Sequence, residues 1–201
     1  MKDSVAIVGS DLDLIDDIQK SGLDLVGYFS LSEKKAGIPF LGSHHAIGKT
    51  SSEIRLILAV DDAKLRSAIF ASHASRIKGY ISTDAKISRN AHIDSTAVVY
   101  PMVFVSRNCE IGKGVKLSVG AQVHHESSIG NFSVVAPRAL ILGRVSIGER
   151  NFIGANATIG PGLSLASDVT IGMGANVLRN LEEGVRAWGN PARVVISEET
   201  K

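Results

Sequence analysis

A chain of 201 residues with 44% apolar side chains can build a large core, yet only 5% of it is aromatic, which argues for a narrow interior. Its 22 basic and 20 acidic residues are interspersed, so the net charge of +2 provides no basic tract of the nucleic-acid-binding kind. A lone cysteine, Cys109, excludes an intrachain disulfide and fits a reducing compartment. No stretch approaches the roughly 20 apolar residues of a membrane span, so the cytoplasm is the expected location.

The opening run to Gly9 is too short for a signal peptide, and Val5-Ala6-Ile7-Val8-Gly9 reads as a buried strand ending in a turn. Asp11 to Ser21 has helical spacing through Leu12, Leu14, Ile15 and Ile18, with Gly22 as its stop. Leu23 to Phe29 and Ile54 to Val60 are the next strands, Ala63 to Ala71 is a helix, and Arg76 to Tyr80 leads onward. Strands alternating with helices predict a small parallel α/β, Rossmann-like domain over 1–78. Its first turn, Gly9-Ser10-Asp11-Leu12-Asp13, sits where a nucleotide can meet a helix N-terminus. One glycine and two carboxylates make it a poor phosphate cradle, and Asp11 or Asp13 is also a natural helix cap.

From Ile81 onward a six-residue period takes over. Seventeen consecutive positions, from Ile81, Ile87 and Ile93 to Ile159, Leu165, Ile171 and Val177, are all aliphatic. Four places later the residue is usually small, as at Ala97, Cys109, Ala121, Ser127 and Ala157. Each hexad supplies a short strand and a turn, and three hexads close an eighteen-residue triangular coil. Coils stack at about 4.8 Å, the ordinary interstrand spacing, and the aliphatic residues fill a core too narrow for most rings. The expected architecture over 79–201 is a left-handed parallel β-helix with a C-terminal extension. Cys109 falls in a small-residue slot and is expected to be buried packing.

A short Rossmann-like domain followed by a hexapeptide prism resembles the sialic acid O-acetyltransferase family of sugar acyltransferases, which includes bacterial N-acetyltransferases of nucleotide-linked 4-amino sugars. The stretch Val123-His124-His125-Glu126-Ser127-Ser128-Ile129-Gly130-Asn131-Phe132 carries most of the likeness, with Val135-Ala136-Pro137 and Trp188-Gly189-Asn190-Pro191-Ala192-Arg193. The resemblance implies a homotrimer with acetyl-CoA as acyl donor and a sugar or nucleotide-sugar acceptor used in surface glycan synthesis. By position it implies His125 as general base, Glu126 as its supporting carboxylate, and Gly143 as the backbone amide near the thioester. Ala155 and Met173 then lie along the pantetheine arm, and Arg193 towards the nucleotide end of the cofactor. Val134 stands where the family often has a cofactor-contacting histidine, and Ser118-Val119-Gly120 replaces its Asn-Thr-Gly. Ser10 and Asp11 occupy its glycine-rich turn, and Ser30-Leu31 its paired aspartates. Ser118, Ser10, Asp11 and Asp94 are the acceptor-binding candidates, although Asp94 reads first as a turn former.

The spacing makes a geometric prediction. His125 and Gly143 are eighteen residues apart, one full coil, so the imidazole should point outward above a glycine that leaves room for a thioester. An imidazole with a pKa near neutrality suits proton removal from an amine or hydroxyl, and a backbone N–H near Gly143 suits the oxyanion. Spacing alone is equally compatible with an exposed surface His-Glu pair. His92, His124 and His125 invite a zinc reading, but their spacing does not reproduce a three-histidine prism carbonic anhydrase, and no metal is expected. His44 and His45 precede an apparent loop and read as solvated; Trp188 is a candidate for stacking on adenine or for anchoring the C-terminal segment. Sugar O-acetylation and a noncatalytic assembly prism are the competing readings.

Overall fold

The computed structural model describes residues 4–195, so Met1–Asp3 of the opening run and 196–201 of the C-terminal extension lie outside the described residues. Strand β1 (Ser4–Val8) is central in a three-stranded parallel sheet, flanked by β2 (Asp24–Phe29) and β3 (Arg55–Leu58). Helix α1 (Leu12–Ser21) starts where the Asp11 carboxylate accepts from the Leu14 N–H at 3.4 Å and stops at Gly22, whose φ of 79° is left-handed. Helix α2 (Ala63–His73) is capped in the same way by Asp62, at 2.8 Å from the Leu65 N–H. Alternation along β1 explains the layering. Val5 and Ile7 pack with Leu14, Ile15 and Ile18 of α1, whereas Ala6 and Val8 pack with Ile69 of α2 and Ile47. His44–Lys49 forms a 3-10 helix, which the sequence did not signal.

Seventeen two-residue strands follow, one every six residues, from β4 (Tyr80–Ile81) to β20 (Asn176–Val177). They pair in parallel with the strand eighteen residues away, which sorts them into three faces. Face I runs from β4 to β19 (Thr170–Ile171) and is extended by β21 (Arg186–Trp188) and β22 (Arg193–Val195); face II runs from Lys86–Ile87 to β20; face III from His92–Ile93 to Ser164–Leu165. Parallel sheets stacked in this repeat close a three-sided β-helical prism. From Val99 to Val177 the inward positions are buried, but Ile81 is 48% exposed and Ile87 and Ile93 are half-buried. These three belong to the first coil, which has no coil beneath it. The small slots also carry polar bonds: the Ser127 hydroxyl donates to the Leu142 carbonyl at 2.9 Å and accepts from the Val145 N–H at 3.0 Å. Cys109 is buried as its slot requires.

The α/β unit roofs the outer row of face I. Tyr80, Val98, Lys116 and Val134 point outward from the coil yet are all buried, and the row opens only at Phe152 and Thr170. Arg66 of α2 is fully buried and donates to the carbonyls of Leu58 and Val60 in its own unit and Gly114 in the prism. Burial pulls its guanidinium down to about 10, which still leaves it charged at neutral pH. Lys116 donates to the Asp61 carboxylate at 2.7 Å, the Ala59 carbonyl at 3.1 Å and the Asp11 carboxylate at 3.3 Å. Those three acceptors use all three ammonium donors. The Tyr100 hydroxyl donates to Asp11 at 2.9 Å, and Tyr80 donates to Asp17 at 2.7 Å; burial first, and then these carboxylates, raise both phenols.

Candidate active site

Turns between strands form three corners of the prism, and turn position decides which groups face outward. In each turn the residue two places after the aliphatic one sits at the corner, and from Met102 to Gly174 the next residue takes a left-handed φ, as Glu126 does at 60°. His125, Gly143, Ala155 and Met173 all occupy that second place. Among the described residues, nothing accepts from the N–H groups of Gly143, Ala155 or Met173. The repeat therefore leaves backbone donors without a partner at all three, among the described residues.

His125 lies on the corner between faces II and III, with its side chain 41% exposed. The Arg144 N–H donates to the His125 carbonyl at 2.9 Å, locking the two coils in register. A Cβ on Gly143 would lie 2.5 Å from Nε2 and 2.6 Å from Cε1 of that ring. The space left by the missing side chain is thus filled by the imidazole itself, which corrects the expectation that a thioester would use it. Glu126 Oε2 stands 3.6 Å from His125 Nδ1, an electrostatic contact too long for a hydrogen bond. His124 packs edge-on against Phe104 with ring centroids 5.6 Å apart, while His92 occupies an outward position on face III.

On the corner between faces I and II, Asp11, Lys116, Ser118, Phe152, Ala155 and Met173 line a cavity of about 270 Å³. Four sequence-derived candidates converge there: Asp11, Ser118, Ala155 and Met173. The Gly174 N–H donates to the Ala155 carbonyl at 2.9 Å, placing Met173 one coil beyond Ala155, and Met173 is 80% exposed. A neighbouring cavity of about 310 Å³ opens at the ends of β1, β2 and β3, lined by Ser10, Asp11, Ser30, Leu31, His44 and Asp61 among others. His44 is therefore a pocket residue. Its pKa is lowered mainly by burial and then by His45, whose ring is tilted against it with centroids 4.1 Å apart.

Other candidates fall elsewhere. Val134 is fully buried in the roofed row of face I and offers no atom to a cofactor, because the hexad period places it at the first strand position rather than in a turn. Asp94 is on the corner between faces III and I, where its carboxylate accepts from the Thr96 N–H at 2.9 Å and hydroxyl at 2.5 Å, a local turn cap. Asp11 is likewise committed to capping α1 and to Lys116 and Tyr100. Arg193 is exposed on β22, opposite Trp188. The indole of Trp188 lies against Gly172, where no Cβ fits, so it is anchored to the prism. Lys116 and Tyr100 carry no sequence signal, because all their hydrogen-bond partners lie more than fifty residues away in the chain, and the Arg66 contact with Gly114 in the prism, 48 residues away, carries none for a like reason.

No family model matches this sequence. It is 35% identical over 107 residues to the GDP-perosamine N-acetyltransferase of Escherichia coli O157:H7, a match covering 50% of this chain and 48% of that one. The chain spans about half the length of the curated relatives it matches. Among solved structures, PerB from Caulobacter crescentus, in complex with CoA and GDP-perosamine, superposes with a TM-score of 0.88 at 25% identity, over 96% of this chain and 97% of that one. Its fold is that of the hexapeptide-repeat acetyltransferases. The acetyltransferase domain of PglB from Neisseria gonorrhoeae FA1090, in complex with acetyl coenzyme A, agrees, with a TM-score of 0.89 at 24% identity over 97% and 100%. Among the described residues no helix is long and apolar enough to cross a membrane.

Proposed function

We propose that this chain is an acetyl-CoA-dependent N-acetyltransferase acting on a nucleotide-linked amino sugar of the 4-amino-4,6-dideoxy type, for surface glycan synthesis in the cytoplasm. The observation that carries the reading is the His125 imidazole seated over Gly143 on an open corner, within a fold that superposes end to end on PerB holding CoA and GDP-perosamine. In this reading the neutral imidazole takes the proton from the acceptor amine as it attacks the thioester carbonyl. Glu126 supports the imidazolium that forms, and the unpaired Gly143 N–H meets the oxyanion. The unpartnered N–H groups of Ala155 and Met173 hold the amides of the pantetheine arm, with Arg193 towards the nucleotide end.

Residues 1–78 act as a Rossmann-type acceptor domain and 79–201 as the acyltransferase prism. His125 and the Ala155–Met173 cavity lie on different corners of one prism, separated by face II. A homotrimer supports the mechanism because a neighbouring copy can bring the second corner to the first. The test is CoA-thiol release from acetyl-CoA with UDP-, dTDP- and GDP-linked amino sugars, set beside the corresponding free sugars and hydroxyl analogues. Turnover of an aminated nucleotide sugar that disappears in His125→Ala is expected. Turnover confined to hydroxyl acceptors, or full activity in His125→Ala, would refute the assignment.

A further inference from the structure

The proposed acceptor carries a diphosphate, and the pockets of the α/β unit are poorly made to receive one. Asp11, Asp13 and Asp61 line those cavities, and their one lysine, Lys116, is already saturated by Asp11, Asp61 and the Ala59 carbonyl. An anion entering there would meet carboxylates with no available ammonium or guanidinium.

The corner that carries His125 has the opposite character. Eighteen residues before His125 stands Arg107, and eighteen before that Arg89, each within the same Ser-Arg-Asn sequence, Ser106-Arg107-Asn108 and Ser88-Arg89-Asn90. The column is a fact of the backbone. The Asn108 N–H donates to the Asn90 carbonyl at 3.0 Å and the Glu126 N–H to the Arg107 carbonyl at 3.1 Å. Arg89, Arg107 and His125 therefore occupy the same turn position on three successive coils, about 4.8 Å apart. Arg89 and Arg107 are exposed. Four arginines on this corner, Arg89, Arg107, Arg144 and Arg179, have no side-chain partner among the described residues, whereas Arg55, Arg66, Arg76 and Arg150 are all engaged elsewhere. Its one carboxylate, Glu126, faces His125.

Resting on the function proposed above, we infer that Arg107 and Arg89 bind the diphosphate of the acceptor, on the corner that carries the base. Two guanidinium groups on adjacent coils match two linked phosphates, each offering paired N–H donors to phosphate oxygens. The sugar then spans the rise between Arg107 and His125, which presents its amine to Nε2. The direction is specific: Arg89 and Arg107 lie on the coils below His125, level with the α/β unit, whereas Ala155 and Met173 lie on the coils above it.

The experiment compares wild type with Arg107→Gln, Arg89→Gln and the double variant. Two readouts are used: calorimetric binding of UDP, dTDP, GDP and inorganic pyrophosphate, and KM for each substrate where turnover occurs. Each substitution is expected to weaken the bound nucleotide about tenfold and the double variant more, with a flatter salt dependence and an unchanged KM for acetyl-CoA. Equal nucleotide and pyrophosphate binding in wild type and the double variant would overturn the inference, as would a rise confined to the acetyl-CoA KM. Binding that needs the arginines, in a protein that turns over no nucleotide amino sugar, would overturn the proposed function while leaving the anion site standing.

Discussion

Alanine at Gly143 isolates the geometry beneath the candidate base. The added Cβ would lie 2.5 Å from Nε2 and 2.6 Å from Cε1 of His125, where comfortable contact begins near ~3.5 Å. Relief requires the ring to move about 1 Å. The ring can do so, because its side chain is 41% exposed, and alanine adds no strain because Gly143 is not a positive-φ residue. The change in stability should therefore stay below ~1 kcal/mol. A displacement of about 1 Å at a proton-accepting nitrogen costs on the order of 10²-fold in kcat, equivalent to about 2.7 kcal/mol of transition-state stabilisation. The assay is steady-state release of CoA thiol with both substrates saturating, with thermal unfolding measured on the same sample. A hundredfold lower kcat at nearly unchanged Tm is expected. Unchanged kcat would refute the claim that the seat of the ring over Gly143 sets its reactivity.

Removing the base itself, His125→Ala, should lower kcat by roughly 10²–10⁴-fold, with CD spectrum and Tm preserved. Val134→Ala should cost about 1–3 kcal/mol in denaturant unfolding and leave the acetyl-CoA KM alone, since the residue is buried. Lys116→Ala removes the donor to the Ala59 carbonyl and to two carboxylates, one of them well solvated, and should cost on the order of 1–3 kcal/mol by urea titration. Hydrogen bonding from Arg150 holds Asp168 below the usual carboxylate range. A depressed folded-state pKa stabilises above the unfolded value and is lost as pH falls through the folded one. Asp168→Asn should thus lower stability slightly at pH 6, by under ~1 kcal/mol for a pair still partly open to solvent, and the difference in Tm should close as pH falls through the folded-state pKa of Asp168.

Much of the candidate site is arithmetic on the chain. A residue's place in its hexad decides whether it faces the core or the corner, and a separation of eighteen decides what it stacks on. That is enough to read His125 as outward and above Gly143, and the same count reaches Arg107 and Arg89. It also puts Val134 at a strand position, where the likeness to a family histidine had suggested a cofactor contact. Asp11 and Asp94 show the limit of residue-type reasoning. Both are acidic and near pockets, but short-range hydrogen bonds to Leu14 and Thr96 already occupy them.

The six-residue period by itself determined the prism, its three faces, its corners and the stacking of His125, because a regular coil turns sequence separation directly into distance. The roof over face I was decided only in three dimensions. Burial of Arg66, Lys116 and Val134 depends on how an independently patterned α/β unit docks, and contacts between residues such as Arg66 and Gly114, or Asp11 and Lys116, follow no period. Local pattern encodes what a segment buries within itself; what two segments bury between them is set by surfaces that exist only after each has folded.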